Sequence, residues 1–264
     1  MKLCRFELKA EPGVVRSGMV YSGKIYETSG AEAIAVHEAE AVRPLTPIPN
    51  APSLRIFRSD LQPGIIPGMD LEDPYYFYAN PTMLFGASQI LNHPATLSEL
   101  SVEAFVAAVV VTDGYQIDVD TADDTILGFT MLVMLVSRTA ERAEKRVGVI
   151  GRSHDLGGVI GPVVTTPEEL EESLLDMGPG NIYGLEAVLR VNGVERGRGN
   201  MEHLPISFAQ AISSASHNSP IRAGDILALG PVATPDDPIL LDPGDEVQLA
   251  VESLGAISLK VSRS

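Results

Sequence analysis

The sequence is poor in cysteine, tryptophan and basic residues. Its 264 residues include one cysteine, Cys4, and no tryptophan, and 35 Asp and Glu stand against 19 Lys and Arg, a net charge of −16. A single cysteine excludes an intramolecular disulfide and a cysteine-based zinc site, and it favours a reducing compartment. The negative charge disfavours binding to nucleic acid or to an anionic membrane surface. We therefore expect a cytoplasmic protein whose partner is a small molecule.

Long hydrophobic runs are also missing. The stretch "ILGFTMLVMLV" from Ile126 has about half of the ~20 residues that a membrane-spanning helix needs. The N-terminal "MKLCRFELKA" lacks the apolar segment of a signal peptide. A hydrophobic content of 45% is nevertheless enough for a sizeable core, and 24 Gly with 19 Pro indicate many turns between short elements. Together these features predict a globular α+β protein that is mainly β.

A proline-rich stretch divides the sequence into a short and a long part. The short part alternates polar and apolar residues, as in "GVVRSGMVYSGKIYE", which predicts a small antiparallel sheet followed by a helix over residues 31–41. The segment "RPLTPIPNAPS" then places four prolines within residues 43–53, a composition typical of a linker. We therefore predict a small N-terminal β domain over residues 1–50 and a larger domain over residues 51–264.

Within the larger part, apolar runs and turn signals indicate the elements. The runs "SVEAFVAAVVV" and "GFTMLVMLVS" are apolar at nearly every position, which predicts strands buried on both faces. Helices are predicted near residues 120–127, 166–177 and 207–213 from their capping residues. Asn192-Gly193 predicts a hairpin turn between two strands.

Standard catalytic and metal motifs are not found. The five histidines are scattered singly, so each is best interpreted as a surface or hydrogen-bonded residue: His37, His93, His154, His203 and His217. The acidic "DVDTADD" lacks the glycine and the distal glutamate of a calcium loop, which favours a solvated turn. Charged residues do adjoin the apolar strands, namely Glu103, Arg138, Arg152 and Asp155. Because a buried charge needs a partner, we expect Glu103 to pair with an arginine.

Several stretches in the second half follow one family pattern. They include "RSHDLGGVIGP" at residues 152–162, "VNGVERGRGNMEHLPISFAQAIS", "AGDILALGPV" and "LDPGDEVQLAVESLGAISLKV". Between Pro74 and Ser262 the sequence resembles the fumarylacetoacetate hydrolase superfamily, whose pattern Lys-Ser-Phe-Asp-x-x-x-Pro-Leu-Gly-Pro is similar to the first stretch, with Arg152 in place of the lysine. The resemblance implies this family's mixed β-sandwich roll, and it implies a homodimer.

The same resemblance shows departures at the metal site. The family's acid-x-acid pair falls on "VEAFVAAVV", where Glu103 keeps the first carboxylate and Phe105 stands in the second position. The third metal carboxylate falls on Met134, and a family lysine falls on Ala79. The family's Asn-Tyr-Arg-Asp-His segment has no counterpart in "RIFRSDLQPGIIPGMDLEDP". Since magnesium requires about six oxygen ligands, we expect no cofactor here, but an apolar pocket with arginines at its rim.

These observations lead to a functional hypothesis. We expect a metal-independent enzyme that acts on a largely apolar carbonyl- or enol-containing small molecule by cyclisation, isomerisation, dehydration or decarboxylation. Glu103 is the expected acid or base, with a pKa raised by apolar surroundings. Arg138 and Arg152 are expected to hold an enolate or carboxylate. The expected substrate-binding residues are Tyr76, Tyr78, Phe105, Met134 and Asp155, with Tyr76 or Tyr78 as a proton donor.

Three alternatives remain open at this level. The protein could be a non-catalytic ligand-binding or subunit protein of the same fold, in which Glu103 and Arg138 form only a structural ion pair. It could instead be a conventional magnesium-dependent hydrolase or isomerase that uses displaced ligands such as Glu99, Asp113 or Asp118. Finally, Tyr76 and Tyr78 have the two-residue spacing of ordinary strand residues.

Overall fold

The computed structural model describes residues 1–59, 74–93, 99–176, 178–235 and 237–263. Residues 60–73, which carry most of the segment compared with the family's Asn-Tyr-Arg-Asp-His pattern, lie outside this description. The strands are β1 (Lys2–Leu8), β2 (Glu11–Tyr21), β3 (Lys24–Ser29), β4 (Glu32–Glu38), β5 (Val42–Pro44), β6 (Leu54–Arg58), β7 (Tyr76–Ala79), β8 (Leu84–Phe85), β9 (Gln89–His93), β10 (Leu100–Val110), β11 (Ile126–Ser137), β12 (Gly158–Thr165), β13 (Leu174–Asp176), β14 (Ile182–Tyr183), β15 (Glu186–Val191), β16 (Val194–Asn200), β17 (Ile226–Gly230), β18 (Glu246–Val251) and β19 (Gly255–Arg263). The α-helices are α1 (Val119–Ala122), α2 (Arg138–Val147) and α3 (Phe208–His217).

Two large sheets organise the described residues. The larger one runs in the order β4-β3-β2-β1-β12-β11-β10-β17-β6-β7, with β5 beside β1 and β8 beside β12. The second runs β16-β15-β18-β19-β9, and β13 pairs with β14. The expectation of a mainly β fold is therefore confirmed. Among the described residues no helix has the length and apolar character needed to cross a membrane.

The central strands β10 and β11 carry the core. They are antiparallel, with Glu103 opposite Met134, and every residue of β10 is buried. Side chains alternate between the two faces of a strand. Val102 and Val106 therefore face a core shared with the second sheet and α3, whereas Phe105 faces a smaller apolar cluster on the other side. The alternation puts Glu103 on the same face as Phe105 and Met134.

The first fifty residues form a meander that continues the larger sheet. Strand β1 pairs with β12, so that Cys4 lies opposite Val163. The meander also has a small core of its own, formed by Cys4, Phe6, Ile25, Val42 and Val163. Because backbone pairing joins the meander directly to β12, the proposed division at residue 50 stays a prediction.

Two predicted helices are replaced by other elements. The helix expected over residues 31–41 is wrong, since Glu32–Glu38 forms β4 and pairs with β3. Here cross-strand pairing outweighs the helix propensity of the alanines, and "EAIAVHE" also alternates as a strand does. Residues 167–173 form a 3-10 helix in which only Leu170 is buried, and β13 follows it directly. The buried strands, the Asn192-Gly193 hairpin and helix α3 lie where the sequence predicted them.

Candidate active site

Two strands and a helix bring charged side chains to one face of the larger sheet. In β6, Leu54 and Ile56 face the same cluster as Phe105, so Arg58, two residues further, points to that face as well. Arg58 lies opposite Gly230 of the neighbouring β17. A Cβ at Gly230 would approach a ring carbon of Phe105 to 2.8 Å. Glycine therefore leaves β17 without a side chain at the position between Arg58 and β10.

Glu103 is the centre of this charged cluster. Its side chain is 3% exposed. Arg58 Nη1 donates hydrogen bonds to Oε1 at 3.0 Å and to Oε2 at 2.8 Å, and Arg138 Nη1 donates to Oε1 at 2.7 Å. His154 Nε2 lies 3.2 Å from Oε2. The prediction that Glu103 pairs with an arginine is confirmed, and the pairing involves two guanidinium groups instead of one.

The surroundings keep Glu103 ionised. Burial acts to raise the pKa of its carboxyl, but the close contact with His154 and the charges of Arg58 and Arg138 outweigh burial and hold the pKa well below its usual range. The expected rise in this pKa is therefore wrong. The sequence pointed to the apolar neighbours of Glu103 and to one arginine partner, whereas the fold also brings Arg58 and His154 to it.

Helix α2 fixes the second arginine. It begins directly after β11, where the Ser137 hydroxyl accepts a hydrogen bond from Ala140 N at 3.2 Å as an N-cap. One turn later, Glu141 Oε2 accepts from Arg138 Nη1 at 2.8 Å, and Lys145 Nζ lies 2.9 Å from Glu141 Oε1. Burial opposes ionisation of Glu141, but Arg138 and Lys145 lower its pKa. Arg138 is thus oriented by two carboxylates.

His154 links this cluster to α2 through a hydrogen-bonded chain. The Ser153 hydroxyl donates to Glu144 Oε2 at 2.6 Å and lies 2.9 Å from His154 Nδ1. Since a hydroxyl has one proton, His154 Nδ1 must be the donor toward Ser153. The order acid, histidine, serine is that of a nucleophilic triad, but Ser153 is 0% exposed and its proton is bound to Glu144. The chain therefore orients His154 rather than activating a nucleophile.

A cavity of about 500 Å³ adjoins the cluster. One wall is charged and comes mainly from β6, β10 and α2, with Arg58, Glu103, Arg138, Glu141, Arg142 and Lys145. The facing wall is largely apolar and comes mainly from β15 and the segment after β17, with Leu189, Pro231, Ala233, Pro235, Pro238 and Leu240. The cavity thus presents a polar and an apolar surface to the same ligand.

Phe105 and Met134 lie beneath the cluster, not in the cavity. They are 0% and 2% exposed and pack with Leu132 and Ile160. The apolar pocket expected between them is a filled core, because neighbouring strands supply side chains that close it. They therefore form a packed floor under Glu103, and direct contact between either of them and a substrate stays a prediction.

Arg152 and Asp155 flank the buried pair Ser153 and His154. Both are exposed, and the described residues that line the cavity include neither of them. In the 3-10 turn Arg152–His154, the side chains of Ser153 and His154 are buried and that of Arg152 is exposed. The predicted roles of Arg152 and Asp155 remain predictions, whereas the fold brings His154 to Glu103.

The two tyrosines lie on the other face of β7. Arg55 Cζ lies 5.7 Å from the ring centroid of Tyr76 and 5.6 Å from that of Tyr78. Tyr76 also lines a separate cavity beside α3. Phe77, between them in sequence, has its ring 4.9 Å from that of His154. Because side chains alternate along a strand, the tyrosines point away from Glu103. The expectation that they donate a proton at the Glu103 site is corrected accordingly.

Three members of the cluster were not foreseen: Arg58, Glu141 and His154. A signal existed for two of them. Arg58 continues the two-residue spacing of Leu54 and Ile56. Glu141 follows Arg138 by three residues, which is a helical pairing distance.

Comparison with known proteins is consistent with this architecture. The model of the fumarylacetoacetate (FAA) hydrolase C-terminal domain matches residues 62–262. The chain belongs to the fumarylacetoacetate hydrolase family. The resemblance inferred from the motifs is thereby confirmed.

Among curated relatives, oxaloacetate tautomerase YisK of Bacillus subtilis is 26% identical over 197 residues, which are 72% of this chain and 62% of that protein. The aligned region thus spans less than two thirds of that relative. Among solved structures, 5-carboxymethyl-2-hydroxymuconate delta-isomerase from Mycobacterium smegmatis superposes with a TM-score of 0.81 at 21% identity, covering 100% of this chain and 99% of that one. A maleylpyruvate hydrolase from Sphingobium sp. SYK-6, solved with manganese(II) and pyruvate, gives a TM-score of 0.76 at 18% identity and covers both chains fully. These structures show the fold.

The maleylpyruvate hydrolase structure contains manganese, which raises the question of whether the residues around Glu103 fit a divalent cation. Hard divalent cations require several oxygen ligands, usually with carboxylates among them. Here Phe105 and Met134 are the neighbours of Glu103 on its face, and both Glu103 oxygens accept hydrogen bonds from Arg58 or Arg138. Within the described ranges no three His, Cys, Asp or Glu side chains are grouped to hold a metal. The donor set at Glu103 does not fit a divalent cation.

Two of the three displaced ligands considered above, Glu99 and Asp113, have other partners, and the role of Asp118 stays a prediction. Glu99 accepts hydrogen bonds from Thr139 and Arg142. Asp113 accepts from Arg222 Nη1 at 2.8 Å and from the Ala223 backbone at 2.9 Å. These two carboxylates serve structural contacts in separate loops.

Proposed function

We propose that this protein is a metal-independent isomerase of the fumarylacetoacetate hydrolase family that interconverts the keto and enol forms of a largely apolar carbonyl compound. One observation supports the proposal above all: an ionised Glu103 lies at a cavity with two guanidinium groups within 3.0 Å of its carboxylate. The names of related family members, an oxaloacetate tautomerase and a muconate isomerase, support the reaction class.

The chemistry follows from the charges. Removal of a proton from the carbon next to a carbonyl leaves an enolate, whose oxygen carries the negative charge. Fixed cations in a site with little water stabilise such a charge strongly. Arg58 and Arg138 provide two of them without a metal ion. Isomerisation needs only this stabilisation and the movement of one proton.

Glu103 is the proposed proton acceptor. Its lowered pKa keeps it as a carboxylate near neutral pH. Toward the enol it takes the proton from the carbon and passes it to the enolate oxygen, and toward the keto form it moves the proton from that oxygen to the carbon. A carboxylate of low pKa is a weak base. The reaction therefore depends on the two arginines, which make the enolate accessible to a weak base. His154 and the Ser153–Glu144 chain hold Glu103 in position.

Hydrolysis is less well supported by this geometry. It requires an activated water or a nucleophile. Ser153, which contacts His154, is fully buried and donates to Glu144. The geometry therefore favours isomerisation over hydrolysis.

The test uses Glu103→Gln and the enol of phenylpyruvate, an aromatic 2-oxo acid, followed by ultraviolet absorbance in buffer with excess EDTA. We expect the unmodified protein to accelerate loss of the enol and Glu103→Gln to lose about 100-fold in rate. The control is Glu168→Gln, an exposed residue of the 3-10 helix Pro167–Ser173. An unchanged rate in Glu103→Gln would show that Glu103 is not the proton acceptor. Loss of the wild-type rate in EDTA would show that the reaction needs a metal ion.

We also propose that the enzyme works in the cytoplasm as a homodimer. Cys4 is free and buried, and burial raises the pKa of its thiol to about 11, which suits a structural residue in a reducing compartment. The dimer is proposed from the family resemblance, and light scattering of the purified protein tests it.

A further inference from the structure

Arg138 has a hydrogen-bonding edge for which the described residues provide no acceptor. Its Nη1 donates to Glu103 at 2.7 Å and to Glu141 at 2.8 Å. Among the described residues, no acceptor is within hydrogen-bond distance of its Nε or Nη2, and the side chain is 25% exposed at the cavity. Nε and Nη2 form the side-on edge of a guanidinium, which matches the two oxygens of a carboxylate.

The neighbouring cations on α2 are already matched. Arg142 pairs with Glu99, and Lys145 Nζ lies 2.9 Å from Glu141. Arg58 is engaged by Glu103. The charged wall therefore provides one oriented position for an anionic group, at Arg138.

The facing wall offers no second position of this kind. Its described residues are mainly apolar, and none of them carries a positive charge: Leu189, Pro231, Ala233, Thr234, Pro235, Pro238 and Leu240. A second carboxylate placed against it would lose water without gaining a partner. An apolar group would instead be favoured there, and about 500 Å³ is a volume typical of sites for larger ligands than a four-carbon acid.

We infer that the ligand of this site is an amphiphilic monocarboxylate. Its carboxylate binds side-on to Nε and Nη2 of Arg138, and its apolar portion lies against Leu189 and Leu240. The site thereby selects against dicarboxylates. The inference deepens the proposed function by naming the substrate class, and it rests on that proposal only for the reaction, since binding is measured separately.

Calorimetric titration in EDTA compares phenylpyruvate, a monocarboxylate with an aromatic tail, with oxaloacetate, a dicarboxylate. We expect phenylpyruvate to bind at least about tenfold more tightly, because the second carboxylate of oxaloacetate has no partner. Arg138→Lys should weaken phenylpyruvate binding by about tenfold or more, since an ammonium group lacks the side-on edge. The matched control is Arg146→Lys, an exposed residue of the same helix, which should bind as the unmodified protein does.

A second variant tests the apolar wall without touching the charged cluster. Leu240 is 56% exposed, so Leu240→Arg should fold normally. We expect it to strengthen oxaloacetate binding and to weaken phenylpyruvate binding, whereas Leu175→Arg, at a residue 58% exposed on β13, should change neither.

The inference is overturned if oxaloacetate binds as tightly as phenylpyruvate, if Arg138→Lys binds normally, or if phenylpyruvate shows no binding at roughly millimolar concentration. Binding as expected with no turnover of the enol would leave the inference standing and remove the proposed function. Turnover of the enol together with tighter binding of oxaloacetate would support the proposed function and overturn the inference about the substrate class.

Discussion

At the scale of single residues, the central feature of the site is how the negative charge of the buried Glu103 is compensated. Glu103 is nearly inaccessible to water, and an isolated charge in that position would be strongly unfavourable. Two guanidinium groups donate hydrogen bonds to it, from Arg58 and Arg138, and His154 Nε2 lies 3.2 Å from Oε2. At a carboxylate site that holds a metal ion, the ion provides compensation of this kind. Here the protein supplies the positive charge itself.

This compensation predicts acid sensitivity. Burial alone would raise the pKa values of Glu103 and Glu141, but the surrounding cations lower both below the unfolded value of about 4.3. A lowered pKa contributes stability that is complete above the unfolded value and is lost as the pH falls through the folded value. We expect the free energy of unfolding in urea to fall below about pH 4.

Glu141→Gln checks the assignment. It should show a smaller fall over the same pH range, because it lacks one of the carboxyls with a lowered pKa. Circular dichroism of urea unfolding between about pH 3 and 7 measures this. Stability that stays constant to pH 3, or an equal fall in Glu141→Gln, would contradict the assignment.

Individual site residues were predictable only where the local sequence marked them. Glu103 and Arg138 stood out as charges beside apolar strands, and their pairing is confirmed. Arg58 and His154 lie 45 and 51 residues from Glu103 in the chain. No local spacing encodes such contacts, because they arise from the order of strands in the sheet and from a 3-10 turn.

At the scale of elements, α2 connects the site to the fold. Its first residue is Arg138, and Glu141 and Glu144 follow on neighbouring faces. Glu141 orients the arginine, while Glu144 holds the turn that carries His154. The beginning of α2 therefore determines the geometry of the charged wall.

We expect Ser137→Ala, which removes the N-cap of α2, to lower the free energy of unfolding by about 1 kcal/mol. It should also weaken phenylpyruvate binding, because Arg138 is the adjacent residue. Ser207→Ala removes the comparable cap of α3 and serves as the control, since α3 does not contribute described residues to this cavity. Equal effects of the two variants on binding would show that α2 does not orient Arg138.

Elements were predictable where pattern and burial agree. Strands β10 and β11 are apolar and buried at nearly all positions, so the sequence indicated them directly. Strand β4 was predicted as a helix because its alanines favour one, and the pairing with β3 decided otherwise. Helix α2 was not separated from β11, since only Ser137 marks the boundary between them.

At the scale of the whole molecule, the fold class and the family were predictable and are confirmed. Composition indicated a mainly β protein, and the motifs of the second half indicated the family. The arrangement of the N-terminal meander was not predictable, because the Lys2–Thr165 pairing joins segments that are far apart in sequence.

Two arginine side chains compensate the negative charge of Glu103, in a site that does not fit a divalent cation. Equilibrium dialysis of the purified protein against Mn²⁺, followed by elemental analysis, tests it most directly. We expect far less than one bound Mn²⁺ per chain, and the same amount in Glu103→Gln. One tightly bound Mn²⁺ per chain that is lost in Glu103→Gln would contradict it.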